Sequence, residues 1–221
     1  MAGAPLMVTA AMVASATGGT LVAGDASTPI AGFSIDSRTI QPGELFFAIV
    51  AERDGHDFVD AAIARGASGV VVEGSRARRA HGATAAAMTT QPAVIEVPDT
   101  TVALQSLARA VRRQAGVTVV AITGSAGKTT TKETIAEFLA VRYRVTKNKG
   151  NLNNHLGLPL SLLELRHGSD IAVMELGMNH AGEIRLLVGI AEPEIRVWTN
   201  AGDAHLGHFA SRDAIADAKA E

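Results

Sequence analysis

Cysteine is absent from the 221 residues, so the chain carries neither a disulfide framework nor a thiolate metal site. That absence fits a reducing compartment. An excess of charge of one sign is also lacking, because 20 Lys and Arg stand against 22 Asp and Glu. A nearly neutral chain has no general electrostatic attraction to nucleic acid or to an acidic membrane surface. We therefore expect neither as a partner.

The N-terminal segment also lacks basic residues, since no Lys or Arg precedes Arg38. The apolar stretch Met1–Gly19 is therefore without the basic region of a secretory signal. Apolar residues at helical spacing predict instead a first helix packed on the surface: Leu6, Met7, Ala10, Ala11 and Ala14. No stretch is long and apolar enough to predict a membrane span. We expect a cytoplasmic monomer that does not insert into membranes.

Hydrophobic patterning divides the chain into two predicted domains, residues 1–115 and 116–221. In the first domain we predict buried strands at Leu45–Ile49, Gly69–Glu73 and Ala93–Val97 and helices at 58–65 and 99–114. Residues 74–92 lack clear periodicity and are predicted to form a variable helix or loop.

The second domain alternates strands and helices. Strands are predicted at Val117–Thr123, Tyr143–Thr146, Ile171–Leu176 and Ile195–Thr199, with helical patterns between them. This alternation predicts an α/β fold with a parallel sheet covered on both faces. Ligands of such sheets bind at the carboxyl ends of the strands, so the residues that follow each strand are the candidates for function.

A glycine-rich loop, G-S-A-G-K-T-T, follows the first of these strands. Its glycines allow a tight turn that aims backbone N–H groups at one anion, and the helix after it adds the positive end of its dipole. A full Walker loop would have glycine where Ile122 stands, so this is a shortened version. The alternative is a structural turn with a solvated lysine. The strand–loop–helix setting favours nucleotide binding by Thr123, Gly124, Ser125, Ala126, Gly127, Lys128, Thr129 and Thr130.

Two further residues follow strands. Glu175 stands near the end of the third predicted strand, where a carboxylate can hold Mg²⁺, although a solvent-facing or salt-bridged glutamate is the alternative. His205 follows the last strand and can ligate a second cation or contact a phosphate. His205 and His208 form H-x-x-H, but without a third ligand this does not predict zinc.

Several sequence blocks resemble the Mur ligase family, whose members build the peptide stem of bacterial peptidoglycan. They are I-T-G-S-A-G-K-T-T-T-K-E (Ile122–Glu133), N-K-G-N-L-N-N-H-L-G-L-P (Asn148–Pro159), V-M-E-L-G-M-N-H-A-G-E-I (Val173–Ile184) and N-A-G-D-A-H-L (Asn200–Leu206). In the first domain, S-I-D-S-R (Ser34–Arg38), P-G-E-L-F-F-A (Pro42–Ala48) and D-G-H-D-F (Asp54–Phe58) resemble the uridine-nucleotide domain of the family. Ala51, Ala201 and Ala210 depart from the usual pattern.

The resemblance implies an ATP-dependent ligase with a small N-terminal α/β domain for the uridine nucleotide and a P-loop-type central domain for ATP and Mg²⁺. It points to the member that joins D-alanyl-D-alanine to UDP-N-acetylmuramoyl-tripeptide through an acyl phosphate. The alternatives are the diaminopimelate- or lysine-adding ligase, folylpolyglutamate synthase, a small-molecule kinase and a non-catalytic nucleotide-binding module. The asparagine-rich block favours the dipeptide-adding enzyme.

The resemblance also implies roles for single residues. Thr129 and Glu175 hold one Mg²⁺, His205 helps to hold a second, and Lys219 is carbamylated to become a metal ligand. Lys128, His205 and Lys219 are the expected catalytic residues, and Asn200 is expected to contact the nucleotide. Substrate contacts are implied for Ser34, Asp36, Ser37, Arg38, Asn151, Asn153 and Asn154.

The residues themselves leave other roles open. The asparagines can equally cap a helix, the serine–aspartate–arginine segment can be a turn with a local ion pair, and Lys219 can be an ordinary helix lysine. The sequence stops at Glu221 within a predicted helix. The resemblance implies that the remaining central strands and a C-terminal domain are absent, so we expect no ligase activity from these residues alone.

Overall fold

The computed structural model describes residues 4–74, 91–202, 209 and 211–221. The chain divides into two compact units, one formed by Met7–Leu107 and the other by Ala108–Glu221 with the residues that lead up to Leu6. Each unit contains parallel strands and helices, as the predicted α/β class requires. Among the described residues, no helix has the length and apolar composition needed to cross a bilayer.

A five-stranded sheet forms the centre of the N-terminal unit. Its strands are β1 (Thr20–Ala23), β2 (Gly32–Ser34), β3 (Glu44–Phe47), β4 (Gly69–Glu73) and β5 (Ala93–Val97). The helices are α1 (Ala10–Thr17) and α2 (Val59–Ala64), with a 3-10 turn at Gly55–Phe58, and α3 (Thr100–Ala115) leads into the next unit. The strand order is β1-β5-β4-β3-β2, and only β1 is antiparallel to its neighbour.

The elements of this unit follow the predicted pattern where an apolar run is long enough. Strands β4 and β5 occupy the predicted ranges, because their valines and isoleucines are buried on both faces of the sheet. Strands β1 and β2 escape prediction because they have four and three residues and are half exposed. Helix α1 begins only at Ala10, after the cap of Thr9, so the predicted apolar stripe is wrong at Leu6 and Met7, which precede the helix, and at Ala11, which is exposed.

A four-stranded parallel sheet forms the centre of the C-terminal unit. Its strands are β6 (Thr118–Thr123), β7 (Val145–Lys147), β8 (Ile171–Glu175) and β9 (Ile195–Trp198), in the order β7-β8-β6-β9. The helices are α4 (Lys128–Ala140), α5 (Gly157–Leu163), α6 (Glu183–Ala191) and α7 (Arg212–Ala220), with a 3-10 turn at Glu164–His167.

The strand register brings the functional candidates to one edge of this sheet. Ile122 of β6 lies opposite Glu175 of β8, and Thr123 lies opposite Trp198 of β9. The carboxyl ends of the three strands are therefore level. The glycine-rich loop after β6, the last residue of β8 and the segment after β9 meet there, as expected for a parallel sheet.

Candidate active site

The glycine-rich loop turns directly from β6 into α4. Gly124 has φ 148° and Gly127 has φ 79°, backbone conformations that residues with a Cβ rarely adopt. Gly127 is the N-cap of α4, so the free N–H groups of the first helical turn face the loop. The Lys128 ammonium folds back and donates to the Gly124 carbonyl at 2.8 Å. The loop therefore presents backbone donors and one cation to a common point, which is an arrangement suited to phosphate.

The segment after β9 holds the loop from the other side. The carboxamide of Asn200 accepts from the Ala126 N–H at 3.0 Å and donates to the Ala126 carbonyl at 3.2 Å. The Thr199 hydroxyl donates to the same carbonyl at 2.6 Å. Asn200, expected to contact the nucleotide, thus braces the loop in this structure.

Glu175 is buried and faces the loop. Its side chain accepts from the Thr129 hydroxyl at 2.7 Å through Oε2 and from Asn153 Nδ2 at 2.8 Å through Oε1. A solvent-facing glutamate is therefore excluded, since Glu175 is only 3% exposed. A hydroxyl and a carboxylate in contact at the start of α4 are oxygen donors of the type that Mg²⁺ prefers. Within the described part of the chain, no cluster of three or more His, Cys, Asp or Glu forms a separate metal site.

Lys219 on α7 is a buried cation, not an exposed helix lysine. Only 5% of the residue is accessible, and burial together with the nearby charge of Lys128 lowers the pKa of its ammonium to about 8. Within the described residues, no acceptor bonds its Nζ. A lysine in this setting carries more neutral amine near neutral pH than an exposed lysine does.

A cavity of about 370 Å³ opens beside Lys128. Its polar walls come from Asn151, Asn153 and Asn154, which the resemblance assigns to substrate. The structure separates the three. Asn153 contacts Glu175 and Asn151 is exposed. Asn154 lies just before α5, where its Oδ1 accepts from the N–H groups of residues 156 and 157. The roles of the three asparagines toward substrate stay predictions.

Comparison with known proteins identifies the family to which this geometry belongs. The Mur ligase middle domain matches residues 122–221, and the catalytic domain of the Mur ligase family matches residues 29–116. The chain belongs to the Mur ligase family. The predicted fold class, a small N-terminal α/β domain followed by a P-loop-type parallel-sheet domain, is confirmed.

Two relatives within the Mur ligase family carry the same enzyme name. The UDP-N-acetylmuramoyl-tripeptide–D-alanyl-D-alanine ligase of Bacillus subtilis is 42% identical over 195 residues, which cover 88% of this chain and 41% of the relative. The ligase of the same name from Escherichia coli is 40% identical over 192 residues, with 84% and 39% covered. The chain therefore spans about two fifths of the length of these curated relatives.

Solved structures of Mur ligases are similar to this chain in fold and in sequence. A crystal structure of MurF from Acinetobacter baumannii has a TM-score of 0.83 and 38% identity, and the match covers 97% of this chain and 46% of that one. The MurF ligase of Thermotoga maritima, solved in complex with ADP, has a TM-score of 0.71 and 34% identity, with 85% and 42% covered. The ADP complex supports nucleotide binding as a property of this fold.

The remaining candidates of the Mur ligase resemblance lie elsewhere. In the N-terminal unit, Ser34 exchanges hydrogen bonds with the backbone of Asp36, Ser37 is buried, and the Arg38 guanidinium pairs with the Asp36 carboxylate at 2.7 Å. This hydrogen-bonded pairing lowers the pKa of Asp36 to about 2. The turn with a local ion pair is thus formed, with Arg38 exposed at its tip. His205 lies outside the described residues.

Two buried polar residues at this site were assigned no role from the sequence. Lys132 of α4 and Asn148, directly after β7, are each only 1% exposed. Both belong to blocks that resemble the family, yet no spacing rule marks a lysine inside a helix or an asparagine after a strand as functional.

Proposed function

We propose that this chain forms the part of a ligase that binds ATP and the uridine nucleotide, and that the ligase joins D-alanyl-D-alanine to UDP-N-acetylmuramoyl-tripeptide through an acyl phosphate, with ADP and phosphate as products. The observation that carries the proposal is the contact between Thr129 and Glu175 at the start of the phosphate-loop helix. The names of the relatives support the choice of substrates and favour the dipeptide-adding enzyme over the other Mur ligases.

The part of the site that would bind the nucleotide is the glycine-rich loop. Backbone N–H groups around Gly127 and the ammonium of Lys128 bind the phosphates of ATP. Thr129 and Glu175 would hold Mg²⁺, because a hydroxyl and a carboxylate already meet at 2.7 Å and both are oxygen donors. When bound, Mg²⁺ neutralises phosphate charge. A non-catalytic binding module would not need a buried carboxylate beside the loop.

The reaction follows from the poor electrophilicity of a carboxylate. An oxygen of the tripeptide carboxylate attacks the γ-phosphorus of ATP, and the bond from that phosphorus to the ADP oxygen breaks. The amine of D-alanyl-D-alanine then attacks the acyl carbon, phosphate leaves with the electron pair, and the amine gives up one proton. The cavity beside Lys128 offers an ammonium to the anions that must approach each other.

Lys219 would become an anionic ligand. Its neutral amine adds to the carbon of CO₂, which gives a carbamate and releases one proton. Burial and the nearby charge of Lys128 favour that neutral form. The resulting carboxylate-like group would help to hold a second Mg²⁺, with His205 as the further ligand that the sequence predicts.

Carbamate formation has a direct test. At fixed dissolved ¹³CO₂, the chain should show a carbamate carbon signal by NMR that grows as the pH rises through about 8, because the ammonium form predominates below the lowered pKa. Lys219→Met should remove the signal. A signal that persists in this variant would assign the carbamate to another amine.

The substrate end is proposed for the N-terminal unit and for the asparagines of the cavity. Arg38 presents a guanidinium at an exposed turn, which suits a diphosphate, with Ser34, Asp36 and Ser37 shaping that turn. Asn151 and Asn153 would contact the peptide in the cavity, since amides both donate and accept.

Calorimetric titration of two variants tests the division of ligands. Lys128→Ala should lose affinity for Mg-ATP and keep affinity for the UDP-linked tripeptide, and Arg38→Ala should do the reverse. Each variant is the control of the other. The proposal fails if the wild-type chain binds neither ligand, or if each variant loses both while its unfolding midpoint is unchanged.

A further inference from the structure

The carboxamide of Asn148 forms two hydrogen bonds with the backbone of Glu175. Its Oδ1 accepts from the Glu175 N–H at 3.0 Å, and its Nδ2 donates to the Glu175 carbonyl at 3.0 Å. The same Nδ2 donates to the Leu152 carbonyl at 2.9 Å. Both polar atoms of this buried side chain therefore form hydrogen bonds with the main chain, which fix the orientation of the carboxamide.

These hydrogen bonds take the place of strand pairing where the pairing of β7 with β8 ends. Strand β7 pairs with β8 only as far as Lys147 opposite Val173. On that side the next backbone groups of β8 would lack partners, and an unpaired buried N–H or C=O is costly by about 1–3 kcal/mol. A primary amide has one donor side and one acceptor, as a peptide group has. Asn148 therefore fixes the last residue of β8, whose side chain faces the phosphate loop.

Lys132 connects Asn148 to α4, the helix that follows the phosphate loop. Its ammonium donates to the main-chain carbonyl of Asn148 at 2.8 Å and lies 3.1 Å from the carboxylate of Glu133. Lys132 lies three residues after Thr129 on α4, which places the two on neighbouring positions of one helix face. The helix that supplies the hydroxyl and the strand that supplies the carboxylate are thereby joined through one buried cation.

We infer that Asn148, held by Lys132, is a positioning residue that fixes Glu175 relative to Thr129 and so sets the affinity of the site for Mg²⁺. The inference rests on the proposed function for the identity of the ion. Neither residue touches the phosphates or the substrate in this role, because both act through the backbone of the metal-holding glutamate. Groups that orient metal ligands in this way typically change metal affinity by about 10- to 100-fold when altered.

The test compares Mg²⁺ dependence with nucleotide affinity in the 221-residue chain. Asn148→Asp keeps the size and the acceptor of the side chain but loses the donor to the Glu175 carbonyl. Lys132→Met keeps the length of the side chain and removes the ammonium, and it carries the test if the aspartate variant does not fold. Ser161→Ala is the matched control, since it deletes a buried hydrogen bond of the same unit, from Ser161 to the Gly157 carbonyl.

Three quantities are measured: the affinity for ADP in EDTA, the Mg²⁺ concentration that half-saturates the gain in ADP affinity, and the amide hydrogen-exchange rate of Glu175 by NMR. Asn148→Asp and Lys132→Met should raise the half-saturating Mg²⁺ concentration by about 10- to 100-fold and leave the affinity in EDTA unchanged. Exchange at Glu175 should be faster in the aspartate variant. The serine control should change none of the three.

The outcomes separate the two proposals. An unchanged Mg²⁺ requirement in both variants, or a parallel loss of affinity in EDTA, would overturn the positioning role, because a merely structural residue would give those results. A wild-type chain whose ADP affinity ignores Mg²⁺ would contradict the proposed function instead. In that case, unchanged amide exchange at Glu175 in Asn148→Asp would overturn the inference independently.

Discussion

Gly124 gives the sharpest test of the phosphate loop, because two separate obstacles forbid a side chain there. Its φ of 148° lies in a region that residues with a Cβ rarely adopt. A Cβ built at this position would also overlap the Thr199 hydroxyl oxygen and lie 3.1 Å from Thr199 Cβ. That hydroxyl donates to the Ala126 carbonyl, so Gly124→Ala must distort the loop or displace its brace.

The expected loss of stability is the sum of two contributions. Backbone strain at a disfavoured φ contributes about 1–3 kcal/mol. Loss of the hydrogen bond from Thr199 to Ala126 contributes about 1 kcal/mol more. The total for Gly124→Ala is therefore about 2–4 kcal/mol of unfolding free energy. Gly116→Ala is the matched control, since Gly116 has φ 63° with no atom within 4 Å of a built Cβ, and it should lose about 1–2 kcal/mol from strain alone.

Urea unfolding and Mg-ATP titration measure the two effects in the same samples. Gly124→Ala should lose nucleotide affinity, whereas Gly116→Ala should keep it. Adding Thr199→Ala to Gly124→Ala removes the oxygen that overlaps the new methyl group, so the double variant should lose less stability than two independent losses would sum to. The reasoning is refuted if Gly124→Ala binds Mg-ATP as the wild type does and loses no more stability than the control.

Three further predictions follow from single contacts. Thr129→Val should abolish the Mg²⁺ dependence of ATP affinity, because valine lacks the hydroxyl that contacts Glu175. Thr129→Ser keeps that hydroxyl and should keep the Mg²⁺ dependence. Asn154→Ala should lower the unfolding free energy by about 0.5–1.5 kcal/mol, because its Oδ1 accepts from two N–H groups just before α5, whereas Asn154→Asp should retain most of the stability; urea unfolding checks both. Hydrogen bonding from Arg113, with Arg109 nearby, lowers the pKa of Glu192 from 4.5 to about 2, so its contribution to stability is complete above pH 4.5 and lost as the pH falls towards 2. The urea midpoint of Glu192→Gln should therefore fall less steeply than that of the wild type over that range.

The parts of the fold that could be predicted are those with long local patterns. Strands β6 and β8 have six and five residues, of which four consecutive residues in each are apolar, and the loop after β6 carries its glycines in the sequence itself. Strands β1 and β2 could not be predicted, since a half-exposed segment of three or four residues is stabilised by its pairing partner and not by its own pattern. The start of α1 was misplaced for a related reason. The apolar spacing extends back to Leu6, but Thr9 caps the N-terminus, so the helix begins only at Ala10.

The candidate site divides in the same way. Glu175 could be located from the rule that ligands bind at the carboxyl ends of parallel strands, and its contact with Thr129 agrees with the metal role assigned to both. Asn200 was located by the same rule, but its amide bonds the loop backbone. Side-chain contacts with distant main-chain groups leave no trace in spacing, so the sequence could place Asn200 at the site without giving its partner. The roles of His205 and the uridine-nucleotide residues stay predictions.

Lys132 and Lys219 show most clearly what only the fold supplies. Both are lysines on helices, and both are at least 95% buried. Around Lys132 the fold places a carbonyl and a carboxylate, so two oxygens balance the buried charge. Around Lys219, burial and the nearby charge of Lys128 lower the pKa of the ammonium to about 8. The same side chain is thus a paired cation in one place and an ammonium with a lowered pKa in the other. The residues that make the difference include Asn148 and Lys128, and each of them is distant in the sequence from the lysine that it affects.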